Sequence, residues 1–455
     1  MKLNKLLILL ILSSLILSII HAVKYQAVWW DAAVYIGMGK YIYSLGSIGL
    51  WEEFRPILWP AILGLFWKAG INPLNAGTAI EIIFSTGTIC LVYLIGRKIN
   101  HNTGIIAATI LSFSYAYFIL TPVQLTDIPS LFFSLLSIYL ALNDKYFTSG
   151  LSIGAAFLLS FPQGLTLPVI LIFIILNTIT NKNYKEQIKN SMKLSSGFFI
   201  LAVPYMFSNY LTYDSILSPF TKAREVIAYS SKAYPTEIFF YFIELIKNNF
   251  LIIFALLGLI IYLFNIKNRE KSLDLNFIAL VLFTVYFSYE VQRNFRYILS
   301  FLPYYCIFAG FGINIFIEKI RIVKPKIIIL ALILLSSIIY APVALKSHDV
   351  DVDVKNFNEY FSDKPGAIVY GSTPLFAAYS DVRIIPITNW EWAMERYKTL
   401  DKVDYIAINT CDLYCGEDKE SCTRNKERAL KELGKSNLKY NKTVSGCNML
   451  VYKTL

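Results

Sequence analysis

A few carboxylates and cations, set beside aromatic residues and prolines, are the groups in this chain best suited to chemistry. Asp31 follows two tryptophans in WWDAAVY (Trp29–Tyr35), with Tyr35 about one helical turn further on. Glu52, Glu53 and Arg55 crowd together in WEEFRPILWP (Trp51–Pro60), and Asp127 stands in TPVQLTDIPSLFFSLLSIYLAL (Thr121–Leu142). Lys222 and Arg224 lie in SPFTKAREVIAYSSKAY (Ser218–Tyr234), and Arg293 and Arg296 in VQRNFRY (Val291–Tyr297). A carboxylate can take the proton of a hydroxyl nucleophile, and the guanidinium fork fits the oxygens of a phosphate. Each group also has a plainer reading. Asp31, Thr126 and Asp127 suit helix caps, with Pro129 in a first helical turn. Glu52, Glu53 and Arg55 suit an exposed, ion-paired cluster, and the outward cations suit contact with lipid headgroups.

The elements that position these groups are set by composition. Of 455 residues, 56% are hydrophobic and only 16% charged, and the mean hydropathy is +0.53. Soluble domains carry about 25% charged residues, so a soluble enzyme, a coiled coil and a disordered chain are excluded as whole-chain readings. The net charge of +11 resides before Ser347, because the tail after it is close to balanced. No basic soluble face is present for nucleic acid, which is excluded as a partner. The lipid bilayer is the expected one.

Eleven apolar runs approach the length of a spanning helix: roughly 5–23, 77–96, 102–120, 127–143, 148–162, 164–180, 191–212, 245–265, 274–291, 296–318 and 326–346. The first reads as an anchor, being long and without a small-x-small cleavage site. Ile57 to Trp67 is too short to span, is broken by Pro60, and reads as a helix in the outer interface. With the N-terminus inside, Lys2, Lys5 and the loops Arg97-Lys98, Asp144-Lys145, Asn181–Lys193, Asn265–Lys271 and Glu318–Lys326 hold 16 Lys/Arg and few acids, as the positive-inside rule requires. Two long loops, 24–76 and 213–244, then lie outside with the tail. The second contains Pro219 and Pro235. Asp31 and Asp127 fall on that same membrane face, and so do Arg293 and Arg296, where the charge rule disfavours them.

The tail from Ser347 alternates β-rich runs with polar helical ones. GAIVYG (366–371), VRIIPI (382–387), VDYIAIN (403–409) and CNMLVY (447–452) read as strands, and Asn356–Ser362, Trp390–Leu400 and Arg424–Leu433 as helices. The expected division is therefore a membrane domain, 1–346, and a small extracytoplasmic α/β domain, 347–455. Cys411, Cys415, Cys422 and Cys447 form an even set in the tail, compatible with two disulfides in any of three pairings. A zinc site is the rival, but no His lies among them. Cys90 and Cys306 sit in apolar runs as small core residues.

The order of these features resembles the GT-C glycosyltransferases, in particular the protein O-mannosyltransferase and aminoarabinose-transferase branch, glycosyltransferase family 39 and its relatives. The resemblance rests on WWDAAVY, FRPILWPAILGLFWKAG, the inside GRKI, LTDIPSLFFSLLSIYLAL, AAFLLSFPQGLTLPVI (155–170) and RYILSFLPYYCIFAGFGI (296–313), and covers about residues 1–346. It implies a polytopic α-helical membrane enzyme of GT-C type that moves a sugar from a polyprenyl (dolichyl or undecaprenyl) phosphate to a hydroxyl acceptor on the outer face. That acceptor is a protein, a glycan or a lipid. By the resemblance Asp31 is the general base and Asp127 orients the acceptor or the base. Arg55, Arg293 and Arg296, with Lys222 and Arg224, hold the donor phosphate, and Glu53 and Tyr35 support the acceptor. The chain departs from the family pattern at Ile57, after Pro56, and at Phe161 in SFPQG, where an arginine is often found; these positions bear on the identity of the sugar. No cofactor is assigned, and a divalent ion on the carboxylates stays open. Asn441-Lys442-Thr443 is an N-glycosylation sequon.

Three alternatives remain open. A polymerase or ligase with a lipid-diphosphate donor shares the chemistry. A transporter or flippase of a lipid-linked sugar is expected to show repeated halves and charge near mid-membrane; no repeat is visible, and Glu81, Glu244 and Glu290 are the nearest exceptions to charges at span ends. A membrane-anchored sensor needs far fewer spans.

Overall fold

The computed structural model describes residues 5–181, 183–230, 237, 239–264, 270–290, 292–320, 325–387, 390–400, 402–413, 419–433 and 437–454. Lys2, Pro235, Val291, Cys415 and the loop residues 265–269 and 321–324, all used above, lie outside them. The chain forms two compact units. The first takes in the chain up to Lys24, Phe54–Leu58 and Thr78–Lys346, and the second Tyr25–Glu53, Trp59–Gly77 and the tail from Ser347.

The first unit is helical, and the protein is a polytopic membrane protein. Among the described residues five helices are long and apolar enough to cross a bilayer: Lys5–Lys24, Pro73–Arg97, Tyr184–Tyr213, Lys271–Tyr289 and Pro325–Leu345. At 1.5 Å per residue each reaches about 30 Å. Four shorter apolar helices, Asp127–Ala141, Tyr146–Leu159, Phe161–Asn177 and Phe250–Phe264, fill out the unit.

Several of the expected spans are divided. The run 102–120 forms Phe113-separated helices His101–Ser112 and Tyr115–Leu120, and the run 245–265 is interrupted after Asn248. The two interruptions complete one another. Asn248 Oδ1 accepts from the Ala116 N–H at 2.6 Å, and Asn249 Nδ2 donates to the carbonyls of Ile110 (3.1 Å) and Phe113 (3.2 Å). Backbone freed inside an apolar bundle must be satisfied by protein, and two adjacent asparagines do so here. Two further breaks are 3₁₀ turns, Phe161–Leu165 after Ser160 and Phe295–Ser300 before the helix Leu302–Ile320.

The second unit is a three-layer α/β structure. Five strands, β1 (Ile368–Gly371), β2 (Arg383–Pro386), β3 (Tyr405–Asn409), β4 (Asn437–Val444) and β5 (Cys447–Lys453), form a mixed sheet in the order β2-β1-β3-β5-β4. β1 pairs in parallel with β2 and β3, and β5 pairs antiparallel with β3 and β4. Period-2 alternation separates the faces. Tyr370, Ile406, Ile408 and Leu450 enter the core with Trp390, Ala393 and Ala429. Val369, Ile384, Ala407 and Val451 enter the other core with Phe357, Phe361 and, from the first long loop, Val34, Met38 and Leu50.

One layer of this sheet structure therefore comes from the loop between the first two long helices. The helix Trp30–Tyr43 is buried without interruption from Ala32 to Lys40. On its other side it meets the short helix Leu58–Lys68, expected at 57–67, so closely that a Cβ on Gly39 would stand 2.5 Å from the Pro60 carbonyl oxygen, and one on Gly64 2.4 Å from that of Gly39. Only glycine permits that contact. Lys40 completes the layer. Its ammonium reaches Asp381 at 2.9 Å and the Ser380 carbonyl at 3.0 Å, and the Trp67 indole donates to the same Asp381 oxygen at 3.0 Å.

In the tail, Cys411 is bonded to Cys447, and Cys422 is also disulfide-bonded. Cys90 and Cys306 are free thiols, the latter buried. Beside the disulfide, Asp412 accepts from Asn409 Nδ2 at 2.8 Å and more weakly from Ser372 Oγ at 3.4 Å. Burial pushes its carboxyl from the usual 3.8 up to about 7 against the Ser372 hydrogen bond.

Two stability predictions follow from these groups. The Lys40 side chain is 4% exposed and that of Asp381 42%, so losing the acid strands a buried ammonium, whereas losing the lysine leaves a half-solvated carboxylate. Asp381→Asn is expected to destabilise the second unit by about 1–3 kcal/mol and Lys40→Met by less, read from thermal unfolding of the detergent-solubilised chain. For Asp412 the folded form binds the proton more tightly than the unfolded one, so stability falls as pH rises from about 4 to about 7. Asp412→Asn is expected to raise the midpoint at pH 8, and its advantage over wild type should shrink towards pH 5.

Candidate active site

Two groups of the expected residues lie in different units and are described separately. In the second unit, Asp31 occupies the second position of the helix Trp30–Tyr43. Trp29 is the capping residue and makes no side-chain cap, so the plain role expected of Asp31 as an N-cap is not the one it takes. At the helix start its charge is favoured by the exposed N–H groups and the dipole. Asp31 is half-buried, Tyr35 one turn on is 5% exposed, and Glu53 is half-buried.

In the first unit Asp127 is the first residue of the helix Asp127–Ala141. Thr126 precedes it without a side-chain cap, and Pro129 stands in the first turn as expected. The segment before this helix is stitched to the helix Pro73–Arg97. Gln124, held at a positive φ of 51°, donates to Thr78 Oγ1 and, at 2.6 Å, to the Pro122 carbonyl. Thr121 and Ser85 hydroxyls meet at 3.2 Å, and the Tyr117 hydroxyl donates to the Ser85 carbonyl at 2.7 Å.

Thr78, Glu81 and Ser85 are spaced i, i+3, i+7 and so share one helix face. The outer two bind the Tyr117–Asp127 segment. Glu81, between them, is 1% exposed, and the Leu125 N–H is the backbone donor nearest to its carboxylate, short of a full hydrogen bond. Its charged neighbour is the Asp127 carboxylate. Two acids brought together, one of them wholly buried, are costly unless a ligand, a proton or a cation answers them. Glu81 is thus the site residue that the sequence left among plain exceptions. The available signal was its spacing from Thr78 and Ser85.

The cations divide as well. Arg55 is half-buried with its guanidinium 5.3 Å from the Phe54 ring. Arg293 donates to the carbonyls of Glu237 and Ser288, the latter at 3.4 Å. Arg296 lies in the turn Phe295–Ser300 with its guanidinium 5.4 Å from the Tyr297 ring. This turn packs against the helices Tyr115–Leu120, Asp127–Ala141 and Phe240–Asn248, which places Arg296 among the elements that carry Asp127. Lys222 and Arg224 project from the exposed helix Ser218–Ser230, where Lys222 pairs with Glu225 at 3.0 Å. Among the described residues no group of three or more His, Cys, Asp or Glu side chains is arranged to hold a metal ion.

Residues 55–207, the segment with Arg55, Glu81 and Asp127, match the family model of the dolichyl-phosphate-mannose-protein mannosyltransferases. The whole chain superposes on ArnT from Cupriavidus metallidurans bound to undecaprenyl phosphate with a TM-score of 0.69, 12% identity, and 98% of each chain covered. The chain has the GT-C fold, and its 55–207 segment resembles a glycosyltransferase family. The apo form of the same ArnT superposes at 0.68, again with 12% identity, over 98% of this chain and 97% of that one. The Archaeoglobus fulgidus oligosaccharyltransferase tethered to an acceptor peptide containing the NVT sequon superposes at 0.62, with 12% identity, over all of this chain and 74% of its own. No curated protein sequence matches the chain. At such identities the superpositions carry the fold alone, and the likeness to the mannosyltransferases rests on the segment 55–207.

The Glu81 arrangement yields a test. Glu81→Leu removes a buried carboxyl whose burial and acidic neighbour outweigh its weak backbone contact, so it is expected to stabilise the first unit by about 1–3 kcal/mol while lowering sugar transfer. A hydrogen-bonded structural glutamate would instead lose stability. Paired thermal-unfolding and transfer measurements on wild type and variant decide between them.

Proposed function

We propose that this GT-C enzyme takes a monosaccharide from a polyprenyl-phosphate donor and transfers it to a hydroxyl of a protein, glycan or lipid on the extracytoplasmic face. The observation that carries the reading is the family match over 55–207, which contains the cation Arg55 and the paired acids Glu81 and Asp127. The undecaprenyl phosphate bound to the ArnT of the same fold supports the donor class. The positive-inside charge pattern supports an inside N-terminus and an outside tail.

In this mechanism Asp31 is the general base. It takes the proton of the acceptor hydroxyl as the oxygen bonds to the anomeric carbon, and the bond from that carbon to the phosphate oxygen breaks. The electron pair leaves with the polyprenyl phosphate, whose growing charge Arg55, Arg293 and Arg296 stabilise, with Lys222 and Arg224 at the approach. One displacement inverts the sugar carbon. Asp127 orients the acceptor or the base, and Glu53 and Tyr35 support the acceptor. No step requires a metal ion.

The test uses the purified chain in liposomes with labelled polyprenyl-phosphate hexose and a cell-envelope extract as acceptor. Asp31→Asn is expected to lower kcat by about 10²–10⁴-fold with little change in donor binding. Unchanged transfer by the variant would remove Asp31 from the chemistry. Labelled lipid crossing between leaflets with no transfer would replace the enzyme by a flippase.

A further inference from the structure

Two of the 3₁₀ turns inside the helical unit, Phe161–Leu165 and Phe295–Ser300, are joined by one side chain. Gln163, in Phe161–Leu165, donates through Nε2 to Ser300 Oγ at 3.0 Å, at the end of Phe295–Ser300. Gln163 is 2% exposed, and its amide oxygen has no hydrogen-bond partner. Directly beyond the first turn, Thr166 and Ser134 hydroxyls meet at 2.7 Å. The Tyr304 hydroxyl lies beside Ser134, fully buried and without a partner at bonding distance. The helix Asp127–Ala141, which carries Ser134, packs against both turns.

A leucine at position 163 would fill the same space with no polar group to satisfy. An amide oxygen buried without a donor costs about 1–3 kcal/mol, so its presence calls for a donor from outside the chain. The lining side chains, Ser134, Gln163, Thr166, Ser300 and Tyr304, carry no formal charge. A phosphate or an ammonium buried among them would lack a counter-charge, whereas a neutral group rich in hydroxyls would meet acceptors and donors on every side. Position agrees with that chemistry. Ser300 is four residues along the turn from Arg296, about 8 Å of 3₁₀ rise. Ser134 lies two turns below Asp127 on the same helix, about 10 Å away.

We infer that Gln163 and Tyr304, at the junction of the two turns, form a subsite for the hydroxyls of the donor's sugar, with the Gln163 amide oxygen accepting from one of them. The inference rests on the donor class proposed above and adds the residues that distinguish a sugar-bearing lipid from its bare phosphate.

The experiment measures binding of polyprenyl-phosphate mannose, polyprenyl-phosphate glucose and sugar-free polyprenyl phosphate to the full chain in phosphatidylcholine vesicles. Wild type, Gln163→Leu and Ser300→Ala are compared. Gln163→Leu is expected to weaken the sugar-bearing lipids about tenfold and to leave the sugar-free lipid unchanged, with a thermal midpoint at or above wild type. Ser300→Ala, which releases the amide from its anchor, is expected to weaken them less, and the same comparison on it decides the matter if the leucine variant does not fold. Equal weakening of the sugar-free lipid would overturn the subsite, as would unchanged binding of all three, which marks a site for water only. Wild type that binds neither sugar-bearing lipid would overturn the donor reading and the subsite together.

Discussion

The helix Trp30–Tyr43 is buried on every side from Ala32 to Lys40, and the second unit depends on that constraint. A helix hydrophobic all round must be enclosed. Here the sheet encloses one side through Val34 and Met38, and the Gly39–Gly64 contact closes another. The tail strands cannot complete their core without this loop, and the loop helix has no other core to enter. Lys40, placed within the buried stretch, commits its ammonium to Asp381 and to the Ser380 carbonyl. The first residues of the helix are thereby fixed to a rigid three-layer body. Asp31, at the second position of that helix, is held in a fixed orientation by such a mount, which is what the proposed role as general base would need.

The first unit meets a different constraint, that of polar groups in an apolar bundle. The Tyr117–Asp127 segment has no regular structure over its second half, yet it is held by side chains of one helix face, Thr78 and Ser85. Glu81 occupies the remaining place on that face. A glutamine or leucine there would serve packing better, and its acid faces another acid with only a weak backbone contact to offset it. Stability given up locally in this way is common where a ligand completes the site.

Much of this was legible in the sequence. The four apolar strands, the short helix after Pro56 and the positions of the long helices followed from period and length. β4 escaped because Asn437–Val444 is an edge strand with one partner and mostly exposed side chains, so no apolar alternation marks it. The helix expected at Asn356–Ser362 begins earlier, at Val352, because the Asp351 side chain accepts from the Asp353 N–H and starts it there. The break at Asn248-Asn249 was smoothed over by hydropathy, which averages across a single polar pair, whereas the turn Phe161–Leu165 falls where the runs 148–162 and 164–180 meet. The sharing of the sheet core by residues 25–53 depends on contacts some 300 residues apart in sequence, such as Lys40 with Asp381, and no local pattern carries them. Asp31 and Asp127 stood out only by residue type and by their place at helix starts.

The breaks in the helical unit differ in a way that separates architecture from function. At Asn248-Asn249 every amide group is used: Asn248 accepts from Ala116 and donates to the Glu244 carbonyl, and Asn249 accepts from Leu251 and donates to Ile110 and Phe113. That junction is closed, and its polar groups serve the fold alone. At Gln163 the amide nitrogen donates to Ser300 and the oxygen is unbonded. Both junctions lie in apolar surroundings where water is scarce, so the same cost applies to an unmet group at each. A bundle able to satisfy one junction completely had the side chains to satisfy the other, by a serine or threonine placed to donate to Gln163. The open acceptor therefore marks the junction whose hydrogen bonding the chain does not itself complete.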